Sequence, residues 1–320
     1  MKLISVVTGC YNEVENVEVL YHTVQEIFAK HLPNYRYEYV FIDNSSTDGT
    51  ADVLRRMARE DARVKVIINA RNFGHIRSPY HGMLQARGDA VIYIVADFQD
   101  PPELIPEFVK KWEAGYKIVV GIKKQSAESP LFFAVRKLYY RIATSLSEVQ
   151  LLRNFTGYGL YDRKVMDAIR SLKEPYPYFR GLISEVGFEQ AAIEYSQPPR
   201  RRGLAKNNFY TLFDIALLGI TSHSKVPLRL ATMMGFGIAL MSLLVALGYA
   251  VYKLIYWREF TIGMAPVVIG IFFFAAVQLF FTGIIGEYIG NIHTRIMDRP
   301  LVVELERLNF DRSDDDGGAL

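Results

Sequence analysis

Asp97 lies in the stretch Val95-Ala96-Asp97-Phe98-Gln99-Asp100-Pro101-Pro102-Glu103, where residue types and spacing point most directly to chemistry. The preceding run, Gly88 to Ile94, is apolar, of buried-strand length and rich in β-branched residues, which predicts Asp97 at the carboxyl end of a parallel strand. Ligands of open α/β sheets gather at that edge. Pro101-Pro102 stops the strand, and Pro102-Glu103 opens a helix with an acid at the positive end of its dipole. A carboxylate beside further oxygen ligands suits a hard divalent cation, although an acidic loop with ordinary capping has the same composition.

A second acid, Asp43, ends the strand-like run Tyr37 to Ile42 and opens Asp43-Asn44-Ser45-Ser46-Thr47-Asp48-Gly49-Thr50, a loop dense in turn formers. It can accept from a nucleobase or ribose, or serve in a capped turn with Asp48 or Thr50 as N-cap. Val64 to Ile68 predicts a strand between the two acids in sequence, so Asp43 and Asp97 can face one crevice. That strand runs into Asn69-Ala70-Arg71-Asn72-Phe73-Gly74-His75. Arg71 suits a phosphate or a carboxylate, and equally a structural loop partner; His75 reads as a polar loop residue. No zinc-type spacing, phosphate-binding lysine loop, GxGxxG or GxSxG occurs.

Elements that could position these groups are regular. Leu3 to Thr8 reads as the first strand, too short and without the cleavage site of a signal peptide. Val17, Leu20, Val24, Ile27 and Phe28 recur at helical spacing, completing a βαβ unit with Tyr37 to Ile42, and Lys117 to Gly121 is a fifth strand. The formal charge of +3 gives no footprint for nucleic acid, and the single cysteine, Cys10, excludes an intramolecular disulfide.

Beyond residue 130 the composition changes. Leu131, Val135, Leu138, Ile142, Leu146 and Val149 form one helical stripe crowded with aromatics and flanked by Lys137 and Arg141, suiting either a core or a membrane interface over 130–149. Arg200-Arg201-Arg202 and Lys206 precede a second candidate at Phe209 to Ile220; they suit lipid headgroups or a lipid phosphate, or are a solvated run. Leu230 to Tyr252 and Thr261 to Gly286 contain no charged residue, and each can cross a hydrocarbon core of about 30 Å. They predict a hairpin of about 230–252 and 262–286 with Tyr256 and Trp257 in an interfacial belt. Lys253 and Arg258 in the turn offset Lys225, Arg229, Arg295 and Arg299, so the large polar N-terminal part without a signal peptide predicts both termini in the cytoplasm, on a multi-pass plasma (inner) membrane protein. Asp311 to Leu320 reads as a disordered acidic tail.

In order along the chain, Tyr11-Asn12-Glu13, the Asp43 loop, Arg71-Asn72-Phe73-Gly74-His75, Asp97-Phe98-Gln99-Asp100-Pro101-Pro102-Glu103, Gly159-Leu160-Tyr161-Asp162-Arg163-Lys164, Pro227-Leu228-Arg229, Gly283 to Gly290 and Arg299-Pro300-Leu301 resemble the membrane-anchored polyprenyl-phosphate glycosyltransferases of glycosyltransferase family 2. The resemblance implies an α/β GT-A domain with a Rossmann-like, mixed but mainly parallel sheet over 1–200, then a basic segment and interfacial helix over 201–228, the hairpin over 229–290 and a cytoplasmic tail over 291–320. It implies a nucleotide-sugar donor held by Tyr11, Asn12, Glu13, Asp43, Ser45, Asp48, Arg71 and Asp97, with Mg2+ or Mn2+ on Asp97 and Gln99. Arg200, Arg202 and Lys206 match the place that suits the acceptor phosphate, so Asp97, Arg200 and Lys206 are the expected catalytic set. The reaction implied is inverting transfer of one sugar to undecaprenyl or another polyprenyl phosphate, with UDP-glucose first and UDP-GlcNAc next as donor. The interfacial helices offer surfaces for self-association as a homo-oligomer.

Two positions depart from that pattern. Val95 stands where relatives carry the earlier acid of a DxD-like pair, and Gly157 where many carry an acid before a Phe-Arg-Leu segment. An acceptor phosphate monoester, with its second pKa near about 6, is largely dianionic at neutral pH and needs no general base. Processive polysaccharide synthases would bring a Gln-x-x-Arg-Trp segment, which neither Trp112 nor Trp257 supplies. A solute channel would need more polar residues in its spans than Thr232, Ser242 and Gln278. A non-catalytic nucleotide-sugar-binding scaffold is the remaining alternative, separated from an enzyme by metal-dependent donor turnover.

Overall fold

The computed structural model describes residues 1–124, 154–175, 177–198, 226–256, 264–297 and 299–310. Of the segments expected to hold interfacial helices, all of 130–149 and residues 201–225 of 201–228 lie outside the described residues, as do Arg200, Arg202, Lys206, Trp257 and the acidic tail.

The polypeptide builds β1 (Leu3–Cys10), α1 (Val17–His31), β2 (Arg36–Asp43), α2 (Thr50–Glu60), β3 (Val64–Asn69), α3 (Gly74–Gln85) and β4 (Ala90–Tyr93). A 3-10 turn at Pro102–Leu104 leads into α4 (Ile105–Glu113), then β5 (Ile118–Lys123), β6 (Phe155–Asp162), α5 (Arg163–Ser171), α6 (Phe179–Glu185) and β7 (Gln190–Tyr195). Two long helices, α7 (Val226–Ile255) and α8 (Met264–Ile296), precede β8 (Glu304–Leu308). The segment expected as a tail thus contains a strand.

All eight described strands form one sheet in the order β7-β5-β6-β4-β1-β2-β3-β8. Strands β1, β2, β3 and β4 are mutually parallel, as are β5 and β7, while β6 and β8 run against their neighbours. The sheet is mixed, as expected. From β1 the chain winds outward to β2 and β3, then returns to set β4 on the other side, so the strand order reverses between β1 and β4. Their carboxyl ends flank the crevice that such a reversal creates.

Both faces are covered, which explains the near-continuous apolar runs of β1 and β2. Val17, Leu20 and Val24 of α1, Leu54 and Met57 of α2, and Phe108 and Trp112 of α4 bury one face. Tyr80 and Met83 of α3, Val165 and Ile169 of α5, and Leu182 and Ile183 of α6 bury the other.

Far from that crevice, Lys65 Nζ lies 2.7 Å from Glu38 Oε2 in the sheet interior. Glu38 also accepts from Ser5 Oγ at 2.5 Å and from the Arg87 N–H at 2.8 Å. Removing one partner of a buried pair strands the other charge, so Lys65→Met should cost about 3 kcal/mol in urea unfolding. The double change Lys65→Met with Glu38→Gln should cost less than the single one.

Among the described residues, Phe273–Ile296 is the one helical segment long and apolar enough to cross a membrane. Large apolar side chains stand exposed on both long helices, including Phe236 at 74%, Leu254 at 71% and Leu279 at 71%.

Candidate active site

Three loops at the carboxyl edge of β1, β2 and β3 are laced together by side chains. Asn12, at φ 58°, donates its N–H to Ser46 Oγ at 2.9 Å and accepts from the Thr47 N–H through Oδ1 at 2.9 Å. The Glu13 N–H donates to Thr50 Oγ1 at 2.9 Å, and Glu13 Oε2 accepts from Asn16 Nδ2 at 2.6 Å. Asp48 accepts from Thr50 Oγ1 and the Thr50 N–H through Oδ1 and from the Val14 N–H through Oδ2. Its role here is to close the loop that starts α2, with Gly49 in the left-handed region as the helix N-cap.

Asp43 is 0% exposed and accepts from the Ser46 N–H at 3.0 Å and Ser46 Oγ at 2.5 Å, an Asx turn beside Ser45 at φ 63°. Burial pushes its carboxyl above the ordinary range, against the hydrogen bonds from Ser46. Tyr11 lies half-buried in the β1–α1 loop.

Asparagines bind the third loop to the second. Asn44 Oδ1 accepts from Asn69 Nδ2 at 3.1 Å and the Phe73 N–H at 2.8 Å, while its Nδ2 donates to Asn72 Oδ1 at 2.8 Å and the Gly74 carbonyl at 3.2 Å. This network fixes the loop bearing Arg71, whose exposed guanidinium stacks 4.0 Å from the Phe73 ring centroid and donates to the Asn72 carbonyl.

Across the crevice, β4 ends at Tyr93, shorter than the apolar run predicts, and Asp97 sits in the turn beyond it. The turn is held by Asp97 Oδ1, which accepts from the Gln99 N–H at 3.1 Å, and by Phe98 at φ 59°. Asp97 is 5% exposed and Asp100 1%; Asp100 accepts from the Tyr195 hydroxyl at 2.6 Å. Burial raises the Asp100 carboxyl, the nearby Asp97 charge adds to this, and Tyr195 and Lys123 oppose it.

Lys123, at the end of β5, was not singled out by the sequence pattern. Burial lowers its ammonium from the ordinary lysine range, while Asp100 and Asp97 pull it back up and Arg180 adds to the lowering. His75 is also lowered, by burial and then by Arg180. Lys123 of β5 thus lies in the field of the acids of the β4 turn, and Arg180 of α6 lies near enough to both Lys123 and His75 to lower them, which keeps the His75 ring neutral at physiological pH. Gly157, at φ +104°, takes a backbone form that disfavours an acid there, and a Cβ on it would lie 3.5 Å from the Tyr93 ring.

No group of three or more histidine, cysteine, aspartate or glutamate side chains capable of holding a metal occurs among the described residues. The oxygen donors Asp97 and Gln99 fit a Mg2+ or Mn2+ ion that takes its remaining ligands from diphosphate and water, since such ions use only one or two protein carboxylates beside a phosphate.

Residues 5–171 match the sequence profile of Glycosyl transferase family 2. The chain belongs to that family. The chain is also 34% identical over 298 residues to the SfII prophage-derived bactoprenol glucosyl transferase of Shigella flexneri, covering 93% of this chain and 96% of that one. An uncharacterized glycosyltransferase of Bacillus subtilis, YkcC, is 34% identical over 305 residues, covering 93% and 92%. Among solved structures, glucosyl-3-phosphoglycerate synthase of Mycobacterium tuberculosis is similar with a TM-score of 0.45 at 16% identity, covering 69% of this chain and 78% of that one. Family membership makes the mixed sheet a GT-A-type glycosyltransferase domain. The structure brings Asn12, Glu13, Asp43, Ser45, Asp48 and Arg71 to one side of its carboxyl edge and Asp97 and Gln99 to the other.

Proposed function

We propose that the protein transfers a single sugar, with inversion, from a nucleotide sugar to a polyprenyl phosphate at the cytoplasmic surface of a membrane. UDP-glucose is the first candidate donor and UDP-GlcNAc the next; undecaprenyl phosphate is the first candidate acceptor. The observation that carries this reading is the gathering of the buried acids Asp43, Asp97 and Asp100 at one sheet edge, with Lys123 in the field of the last two. Kinship with a bactoprenol glucosyl transferase over 93% of the chain supports the lipid acceptor. The exposed apolar faces of α7 and α8 support a membrane hairpin.

In this reading Asp43 and the laced loops hold the nucleoside. Asp97 and Gln99 hold the Mg2+ or Mn2+, which when bound neutralises charge on the leaving diphosphate. Lys123 and Arg180 draw the anionic acceptor phosphate toward the anomeric carbon, joined by Arg200, Arg202 and Lys206 from the basic segment. A phosphate oxygen attacks, the bond to the diphosphate breaks with its electron pair on the departing oxygen, and no proton has to be removed. Positioning and electrostatics supply the rate.

Membranes holding the protein would be incubated with undecaprenyl phosphate, Mg2+ or Mn2+ and a panel of radiolabelled UDP- and GDP-sugars. Label entering the lipid phase from one donor, abolished by EDTA, is the expected result. No transfer from any donor by folded protein would favour the non-catalytic scaffold.

A further inference from the structure

After α8 the chain runs back along the catalytic domain. Strand β8 pairs antiparallel with β3 and becomes the edge of the sheet, and the Ala70 N–H donates to the Val303 carbonyl at 2.9 Å, next to Asn69 of the asparagine network. On α3 the same segment meets three residues spaced by four. Arg77 donates to the Pro300 carbonyl at 2.6 Å, His81 lies 2.6 Å from Glu304 Oε1, and Gln85 Oε1 accepts from Arg307 at 3.1 Å. Such spacing is one face of a helix, so the segment lies along α3 for two turns. On its other side Arg55 pairs with Glu306 at 2.8 Å, and Asn309 Nδ2 donates to the carbonyls of Ala58 and Val64 at 2.6 and 2.8 Å. Val302 is buried, and Arg295 in the last turn of α8 pairs with Glu174 at 2.7 Å.

We propose that residues 299–309 are a positioning strap, fixing the distance between the lipid surface that holds α8 and the donor side of the crevice. This rests on the membrane reading above. Between Ile296, the last residue of α8, and Pro300, the first contact on α3, extended chain spans at most about 14 Å, leaving the domain little freedom of height. The beginning of the strap meets the helix that carries His75, through Pro300, and the loop of Arg71 and Phe73, through Val303, so a movement of α8 reaches the donor loops directly. An acceptor phosphate stays at headgroup level while the sugar donor is held by the domain. A displacement of about 1 Å between reacting groups can lower a rate about a hundredfold.

The test uses the full chain in vesicles containing undecaprenyl phosphate, with Gly-Ser inserted between Met297 and Asp298 to lengthen the linker by about 7 Å. A dye on Ala29→Cys, exposed on α1 while Cys10 is buried, reports distance to lipid-borne acceptor dyes by energy transfer. Lower or broadened energy transfer in the insertion variant is expected, and it is read without any sugar transfer. Sugar transfer to undecaprenyl phosphate in the bilayer should fall about a hundredfold, while transfer to a short-chain, water-soluble polyprenyl phosphate stays at the wild-type rate. Unchanged energy transfer, or an equal loss on both acceptors, would overturn the strap. Glu304→Gln, which loosens the strap without lengthening it, repeats both arms should the insertion lower the Tm. A wild-type protein inactive on both acceptors would count against the proposed reaction, while the energy-transfer result would still decide the strap.

The strap also has a pH signature. Burial would raise the Glu304 carboxyl, but hydrogen bonds from His81 and Arg307 outweigh it and hold the group at about 2 instead of 4.5. Its stabilisation is therefore complete above 4.5 and lost as pH falls through about 2. The gap in urea midpoint between wild type and Glu304→Gln should narrow over that window.

Discussion

Asp97→Asn is expected to lower sugar transfer about a thousandfold while leaving the fold intact. The fold should survive because the Gln99 contact that Asp97 makes in its turn needs a carbonyl-type oxygen, not a charge. Oδ1 accepts from the Gln99 N–H, and asparagine keeps that acceptor in the same place. What the variant loses is charge. At 5% exposure Asp97 is poorly screened, so in the proposed site its negative charge would act strongly on a cation bound to the diphosphate. Val95 offers no second carboxylate two residues earlier, and Asp100 is committed to the Tyr195 hydroxyl. The check is label entering lipid per unit time, with calorimetric titration of the UDP-sugar in the presence of Mn2+ and a melting curve beside it. Near-wild-type transfer would remove Asp97 from the metal site. Lost transfer with unchanged Mn2+-dependent donor affinity would move its role from donor binding to the chemical step.

The framework of this protein was legible because its signals are local. Strands β1, β2 and β3 are apolar runs ended by polar loops, α1 shows its buried face in Val17, Leu20, Val24, Ile27 and Phe28, and the acids at strand ends follow from that alternation. Less legible were contacts between residues far apart in sequence. Asn44, Asn69 and Asn72 look like ordinary turn residues until the sheet sets their loops side by side. Asp48 has the composition of a ligand but accepts from Thr50 and Val14. Strand β8 alternates charged residues with leucines, Glu304-Leu305-Glu306-Arg307-Leu308, and reads as a solvated tail. The edge of β3, Arg55, His81 and Gln85 give those charges partners.

Lys123 shows the same limit at the centre of the site, and its removal is the second large effect expected. Nothing in Ile118-Val119-Val120-Gly121-Ile122-Lys123 separates this lysine from one that ends a strand in water. Its surroundings do: it is half-buried, it makes no ion pair among the described residues, and its field comes from Asp97, Asp100 and Arg180. An ammonium that forms no ion pair among the described residues is available to an incoming anion. Lys123→Met should therefore lower kcat/KM for the lipid phosphate about a hundredfold. Donor affinity should change little, which varied-substrate kinetics would resolve. A loss confined to the donor KM would reassign Lys123 to the diphosphate. Titration gives an independent reading. Because burial lowers this ammonium, its neutral form gains ground at lower pH than in an ordinary lysine, so kcat/KM should fall as pH rises through that lowered value. Lys123→Arg keeps its charge throughout the accessible range, and should retain activity while abolishing the alkaline fall. An alkaline limb that persists in Lys123→Arg would belong to another group, and the assignment of Lys123 to the acceptor would fail with it.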